Sequence, residues 1–85
     1  MQDYVKFKEL LDDKYTFPCN YNFKFVVPTV QREELTERFG EVKITEKQSK
    51  TGKYTSLTII KKVVDSDDVI ASYRSCEEIK NLIML

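Results

Sequence analysis

The residue pattern predicts an α+β domain of two layers, and three observations carry that prediction. Four stretches of the chain read as strands. Three others carry apolar residues at helical spacing. The only glycines and prolines, Gly40, Gly52, Pro18 and Pro28, fall at boundaries between these stretches. With 85 residues the chain forms one domain and buries ~60–65% of the surface its unfolded form exposes, enough for one modest core.

Tyr4, Phe7, Leu10 and Leu11 recur at helical spacing within Asp3 to Lys14, so a first helix, α1, is expected there. It ends before Pro18, which disfavours the α conformation at Phe17. From Phe17 to Val27 the pattern changes to strict alternation. Phe17, Cys19, Tyr21, Phe23, Phe25 and Val27 share one face, and Asn20, Asn22 and Lys24 share the other, which defines a central strand, β1. Pro28 and Thr29 open a second helix, α2, running to Phe39. Thr29 is its expected N-cap, Glu33 and Glu34 sit near the positive end of its dipole, and Val30, Leu35 and Phe39 form its apolar side. Gly40 suits the position just past the helix end.

Glu41 to Gln48, with Val42 and Ile44 inward, is the expected strand β2, and Lys53 to Val64 is β3; Ser49-Lys50-Thr51-Gly52 joins them as a hairpin. In β3, Leu57, Ile59 and Val63 share one face and Tyr54, Thr58 and Ile60 the other. Asp65-Ser66-Asp67-Asp68 is a helix start, a cap residue followed by acids in the first turn. The helix it opens, α3, buries Val69, Ile70, Tyr73 and Cys76, and Ser75 to Glu78 lies at its end. The apolar stretch Ile79 to Leu85 is the expected fourth strand, β4. Crossover rules place β1 and β3 at the centre of a four-stranded antiparallel sheet, β2 and β4 at its edges, and α2 and α3 on one face. This is the ferredoxin-like βαββαβ sandwich, a single domain over residues 1–85 with residues 1–15 as a helical extension.

Composition narrows the function. Fourteen basic and fourteen acidic side chains give zero net charge, whereas nucleic-acid binders carry a basic excess that neutralises phosphate. The chain has no histidine, and its two cysteines, Cys19 and Cys76, form no CxxC pair, so neither a metal site nor a cofactor is expected. No nucleophile can be paired with a histidine base, so no catalytic residue is assigned and the protein is expected not to be an enzyme. No secretory signal and no membrane-spanning apolar run is present, so a cytoplasmic protein with reduced thiols is expected. Cys19 and Cys76 are read as core residues rather than a redox pair.

Leu10-Leu11 with Phe17-Pro18, the hairpin Ser49-Lys50-Thr51-Gly52-Lys53-Tyr54-Thr55-Ser56-Leu57-Thr58-Ile59, and the terminal stretch Ile79 to Leu85 resemble the small bacterial YbeD-like proteins. The resemblance covers almost the whole chain. It implies a domain of unknown function with a ferredoxin-like fold, likened to the ACT regulatory domains that bind amino acids. ACT domains commonly place glycine at the turn after β1. Here that turn is Val27-Pro28-Thr29-Val30, with no glycine and one amide donor removed by Pro28.

Three surfaces stand out. Lys43, Lys47, Lys50, Lys53, Lys61 and Lys62 crowd the β2–β3 ribbon, and Lys47, Lys50 and Lys53 make a basic hairpin patch. Such lysines bind anions or protect a sheet edge from aggregation. Lys50-Thr51-Gly52-Lys53 is not a phosphate loop, since Lys47 and Tyr54 stand where that motif needs glycine and serine or threonine. Val26, Tyr54, Thr58, Ile60, Leu82 and Met84 are expected on the sheet face away from α2 and α3, an apolar interface unless α1 covers it. Tyr54 with Lys24 and Lys62 has the outline of an RNA-recognition surface without its aromatic motifs. An exposed β4 edge beside that face invites an isologous homodimer.

The leading expectation is a non-enzymatic regulatory or adaptor domain that binds a protein partner or effector through the open sheet face and the β4 edge. The alternative is an ACT-like small-molecule sensor with ligand at Pro28, Thr29 and Gln31. RNA binding through the lysine ribbon ranks third, and no membrane partner is expected.

Overall fold

Alternation in β1 builds the core. A computed structural model describes residues 4–84. Asp3, the expected first residue of α1, and Leu85, the expected last of β4, lie outside the described residues. The elements run α1 (Tyr4–Lys14), β1 (Cys19–Pro28), a 3-10 turn (Thr29–Gln31), α2 (Arg32–Phe39), β2 (Lys43–Gln48), β3 (Tyr54–Val63), α3 (Ser66–Arg74) and β4 (Ile83–Met84). The sheet is four-stranded and antiparallel in the order β2-β3-β1-β4, as the crossover rules require. An α+β sandwich with a short N-terminal helix is therefore the fold, consistent with the ferredoxin-like arrangement.

Phe23, Phe25 and Val27 of β1 and Leu57, Ile59 and Val63 of β3 are buried beneath the helices, together with Leu35 of α2 and Val69, Ile70 and Tyr73 of α3. Aromatic rings join the layers. Phe39 lies 5.3 Å from Phe23 and 5.7 Å from Phe25, and Tyr73 lies 5.0 Å and 6.0 Å from the same two rings. Full burial of one such side chain stabilises by roughly 1.5–3 kcal/mol. The Tyr21 and Tyr73 hydroxyls satisfy each other at 3.3 Å, and burial pushes the Tyr73 phenol up.

The starts and stops follow local chemistry. Asp65 caps α3 by accepting from the Asp68 amide at 2.8 Å, and Asp68 in turn accepts from the Val64 amide at 3.0 Å. Gly52 closes the hairpin at φ 73°, a left-handed conformation that costs glycine nothing. Gly40 leaves α2 at φ 68° in the same way.

Four local expectations are corrected. The helix α2 begins at Arg32, because the Thr29 amide donates to the Lys53 carbonyl at 2.9 Å and its hydroxyl donates to the Gly52 carbonyl at 2.7 Å. Thr29 is thus a clasp on the hairpin rather than an N-cap, and Val30 stands 92% exposed instead of on an apolar face. Leu10 is 61% exposed, since a helix face through Tyr4, Phe7 and Leu11 turns it about 100° away. The strand β4 has only two residues; the chain from Ser75 to Asn81 turns instead, with Ile79 buried and Asn81 at φ 61°. Lys61, counted in the lysine ribbon, lies on the helix side of β3, where it donates to Ser72 Oγ at 3.0 Å and pairs with Asp68 at 3.6 Å.

Candidate functional site

The sheet has a helix side and an open side, and the sequence decides what stands on each. In antiparallel pairing, partners directly opposite share a face. The buried β1 residues Tyr21, Phe23, Phe25 and Val27 mark the helix side, so Asn20, Asn22, Lys24 and Val26 stand on the open side. The β3 partners of these four are Lys62, Ile60, Thr58 and Ser56, and Tyr54 lies opposite Pro28 at the strand end. From β2, Lys43, Thr45 and Lys47 complete the rows through Ile60, Thr58 and Ser56. Ile83 of β4 closes the row through Val26.

The same register corrects two interface residues. Met84 pairs with Phe25 and therefore points to the helix side, and both Leu82 and Met84 pack against the core. Ile83, 52% exposed, is the β4 residue on the open face. The phase of β4 was slipped by one, because the apolar run Leu82-Ile83-Met84 carries no alternation to fix which residue faces where. Val26, Thr58 and Ile60 are half-buried on the open face, and Tyr54 is 42% exposed.

The helix α1 does not cover this face. It packs on α3 in the helix layer, where the Phe7 and Tyr73 rings lie edge to face at 5.7 Å. Lys8 donates to Ser66 Oγ at 2.8 Å and pairs with Asp67 at 3.2 Å. The Tyr4 hydroxyl donates to the Glu77 carboxylate, and the Arg74 guanidinium lies 4.6 Å above the Tyr4 ring centroid. A cleft of about 550 Å³ opens between α1 and α3, lined by Tyr4, Lys8, Asp67, Ile70, Ala71 and Arg74. Its charged groups are already engaged with one another or with the Tyr4 ring.

Charge divides by face. Lys24, Lys43, Lys47 and Lys62 occupy the open side, and no carboxylate occupies a strand position there. Among the described residues none of these four lysines forms an ion pair, whereas Lys8, Lys61, Arg32 and Arg38 of the helix side all do. Glu46, the one acid within β2, points to the helix side and accepts both donors of the Arg32 fork. That bond holds the Glu46 carboxyl below its ordinary range and the Arg32 guanidinium above its own. Arg38 reaches the Glu78 carboxylate and donates to the Ser75 carbonyl at 2.7 Å. Taking the four open-face lysines from fourteen basic side chains leaves ten against fourteen carboxylates, a net charge of −4 over the rest of the chain.

The remaining candidates separate. Lys50 and Lys53 stand exposed at the hairpin turn, beyond the rows that contain Lys47. At the turn after β1, the Thr29 amide and hydroxyl are both held by the hairpin, and Pro28 has no N–H to offer. Gln31 closes the 3-10 turn without capping α2. Cys76 is buried, which pushes its thiol up against the opposing pull of the Ser75 hydroxyl. Both cysteines are free. Among the described residues no group of three or more Cys, Asp or Glu is placed to hold a metal ion.

The family described as "Protein of unknown function (DUF493)" matches residues 12–85. The chain belongs to the DUF493 family. YbeD-like proteins are members of it, so the resemblance carried by the hairpin and the terminal stretch is sound. The matched span takes in all four strands with α2 and α3, and leaves most of α1 outside. No curated protein and no solved structure matches the chain. Among the described residues no helix is long and apolar enough to cross a membrane.

Proposed function

We propose that this DUF493 protein is a non-enzymatic regulatory or adaptor domain of the cytoplasm, which engages a protein partner through its open sheet face and the adjoining β4 edge. The observation that carries the reading is that no described helix packs on that face while α1, α2 and α3 all pack elsewhere. Tyr54 and Ile83 stand out from it with 42% and 52% of their surface exposed. A protein surface that leaves aromatic and aliphatic side chains uncovered beside polar ones has the composition of an interface. β4, only two residues long, pairs with β1 at Phe25 and Val26 alone, so most of the outer edge of β1 has no strand partner among the described residues. The ACT-like sensor is the weaker reading, because the donors of Thr29 that a ligand at the turn would use already hold the hairpin.

The test is affinity capture from cells with two variants. Tyr54→Ser with Ile83→Asn alters the open face, and Leu10→Ser with Val64→Ser alters exposed apolar residues away from it. The expected result is loss of the captured partner with the first pair alone. Equal capture by both pairs would overturn the reading.

A further inference from the structure

We infer that the open sheet face docks an acidic polypeptide segment, whose carboxylates pair with Lys24, Lys43, Lys47 and Lys62 while an apolar side chain seats at Val26, between Tyr54 and Ile83. The inference rests on the binding role proposed for that face and adds the chemistry of the partner.

Charge complementarity carries it. Zero net charge conceals a molecule polarised by layer: four unpaired ammonium groups on one face and a net −4 over everything else. Lys24 lies on β1 and Lys62 on β3, so the positive charge spans three of the four strands of the face rather than β2 alone. Each unpaired lysine keeps its full hydration and side-chain freedom until a partner arrives, so the face attracts carboxylates at long range and orients them on contact. Lys43 and Lys47 are separated by ~13 Å along β2, and Lys24 lies two strands across, ~10 Å away. Such spacings suit several acidic side chains presented together on one segment. Val26 and Ile83 share a row with Ser56 and Lys47, so an apolar anchor falls beside the positive charge.

Two other occupants fit less well. A single-stranded nucleic acid needs aromatic platforms in the middle of the sheet, where this face has Asn22, Lys24 and Thr58. Its one tyrosine, Tyr54, sits at a strand end opposite Pro28. A second copy would have to present its acidic helix layer to the sheet, a head-to-tail contact that propagates instead of closing.

The experiment is an NMR titration of the isotope-labelled full chain with a short poly-glutamate peptide carrying one leucine, with oligouridylate titrated in parallel. Expected are amide shifts along β1, β2 and β3 at open-face positions, and affinity that falls as salt shortens the screening length from ~10 Å at 0.1 M to ~3 Å at 1 M. Combined Lys→Gln replacement of the four lysines weakens peptide binding by roughly tenfold or more, each contributing about two- to fivefold, with a folded amide spectrum retained. Lys8→Gln, in the helix layer, leaves it unchanged. Unaltered affinity in the fourfold variant, shifts confined to the hairpin turn or the helices, or tighter binding of oligouridylate would each overturn the inference. Concentration-dependent self-association blocked by the same variant would assign the face to a second copy and overturn it too. Should the peptide fail while Tyr54 and Ile83 still govern partner capture, the acidic chemistry is wrong and the binding role stands; failure of both removes the role itself.

Discussion

Asp65 and Tyr4 show how much of the molecule hangs on single polar contacts. Asp65 caps the start of α3, and Asp68 one turn on returns a bond to the preceding Val64 amide. Removing such a cap costs about 0.5–2 kcal/mol, so Asp65→Ala lowers the thermal midpoint by several degrees, about 4–8 °C per kcal/mol in a domain of this size. Differential scanning calorimetry measures it, and an unchanged midpoint would show that the cap bond contributes nothing. At Tyr4, burial and then the bond to the Glu77 carboxylate push the phenol up from 10.0 to about 12. The folded state thus keeps a proton that the unfolded chain loses. The stability this provides is complete below pH 10 and is lost as pH rises toward about 12. Tyr4→Phe flattens that part of the alkaline decline in urea midpoints taken across the range, because Tyr73 remains in both proteins. The Asp65 cap was legible from Asp65-Ser66-Asp67-Asp68, since a cap acts on the residues next to it. The Tyr4–Glu77 bond was not, because its partners lie 73 residues apart.

At the scale of elements, what could be read depended on periodicity. The strand β1 alternates, and its faces could be assigned from the sequence, as could those of Tyr54, Leu57, Thr58, Ile59, Ile60 and Val63 in β3. Their cost is correspondingly concentrated: Phe23→Ala, at a fully buried site among Phe25, Phe39 and Tyr73, costs about 3–5 kcal/mol. A domain of this length has only ~4–13 kcal/mol in total, so the variant is expected to melt at a much lower temperature by circular dichroism. An unchanged midpoint would mean that the aromatic cluster is loosely packed. By contrast β4 is uniformly apolar and short, and nothing in Ile79 to Met84 reveals its phase; only pairing with β1 does. Polar replacement there separates the faces. Leu82→Gln is expected to lower the denaturation midpoint, whereas Ile83→Gln leaves it within about 0.5 kcal/mol of the parent. The 3-10 turn at Thr29 was illegible for a related reason, since a threonine after proline signals an N-cap until the hairpin claims its hydroxyl.

For the whole molecule, the informative quantity is where charge lies rather than how much there is. Net charge of zero argued against a nucleic-acid partner when read as a single number. Placed on the sheet, the same residues give an open face bearing four lysines with no ion pair among the described residues, and a helix side where Lys8, Lys61, Arg32 and Arg38 are tied to carboxylates. The lysine ribbon was visible in the sequence, but its division between faces needed the register, which moves Lys61 and Glu46 to the helix side and adds Lys24 from β1. Of the predicted interface, Val26, Tyr54, Thr58 and Ile60 do share the open face. Residues of one strand keep their alternation, whereas Leu82 and Met84 depended on pairing between strands far apart in sequence.

Photo-crosslinking in cells reports whether the open sheet face is where this protein meets its partner. A crosslinking side chain is placed at Thr58, in the middle of that face, or at Glu37, exposed on α2. One discrete crosslinked protein is expected from position 58 and none from position 37. A discrete product from position 37 alone would place the contact on the helix layer and contradict it.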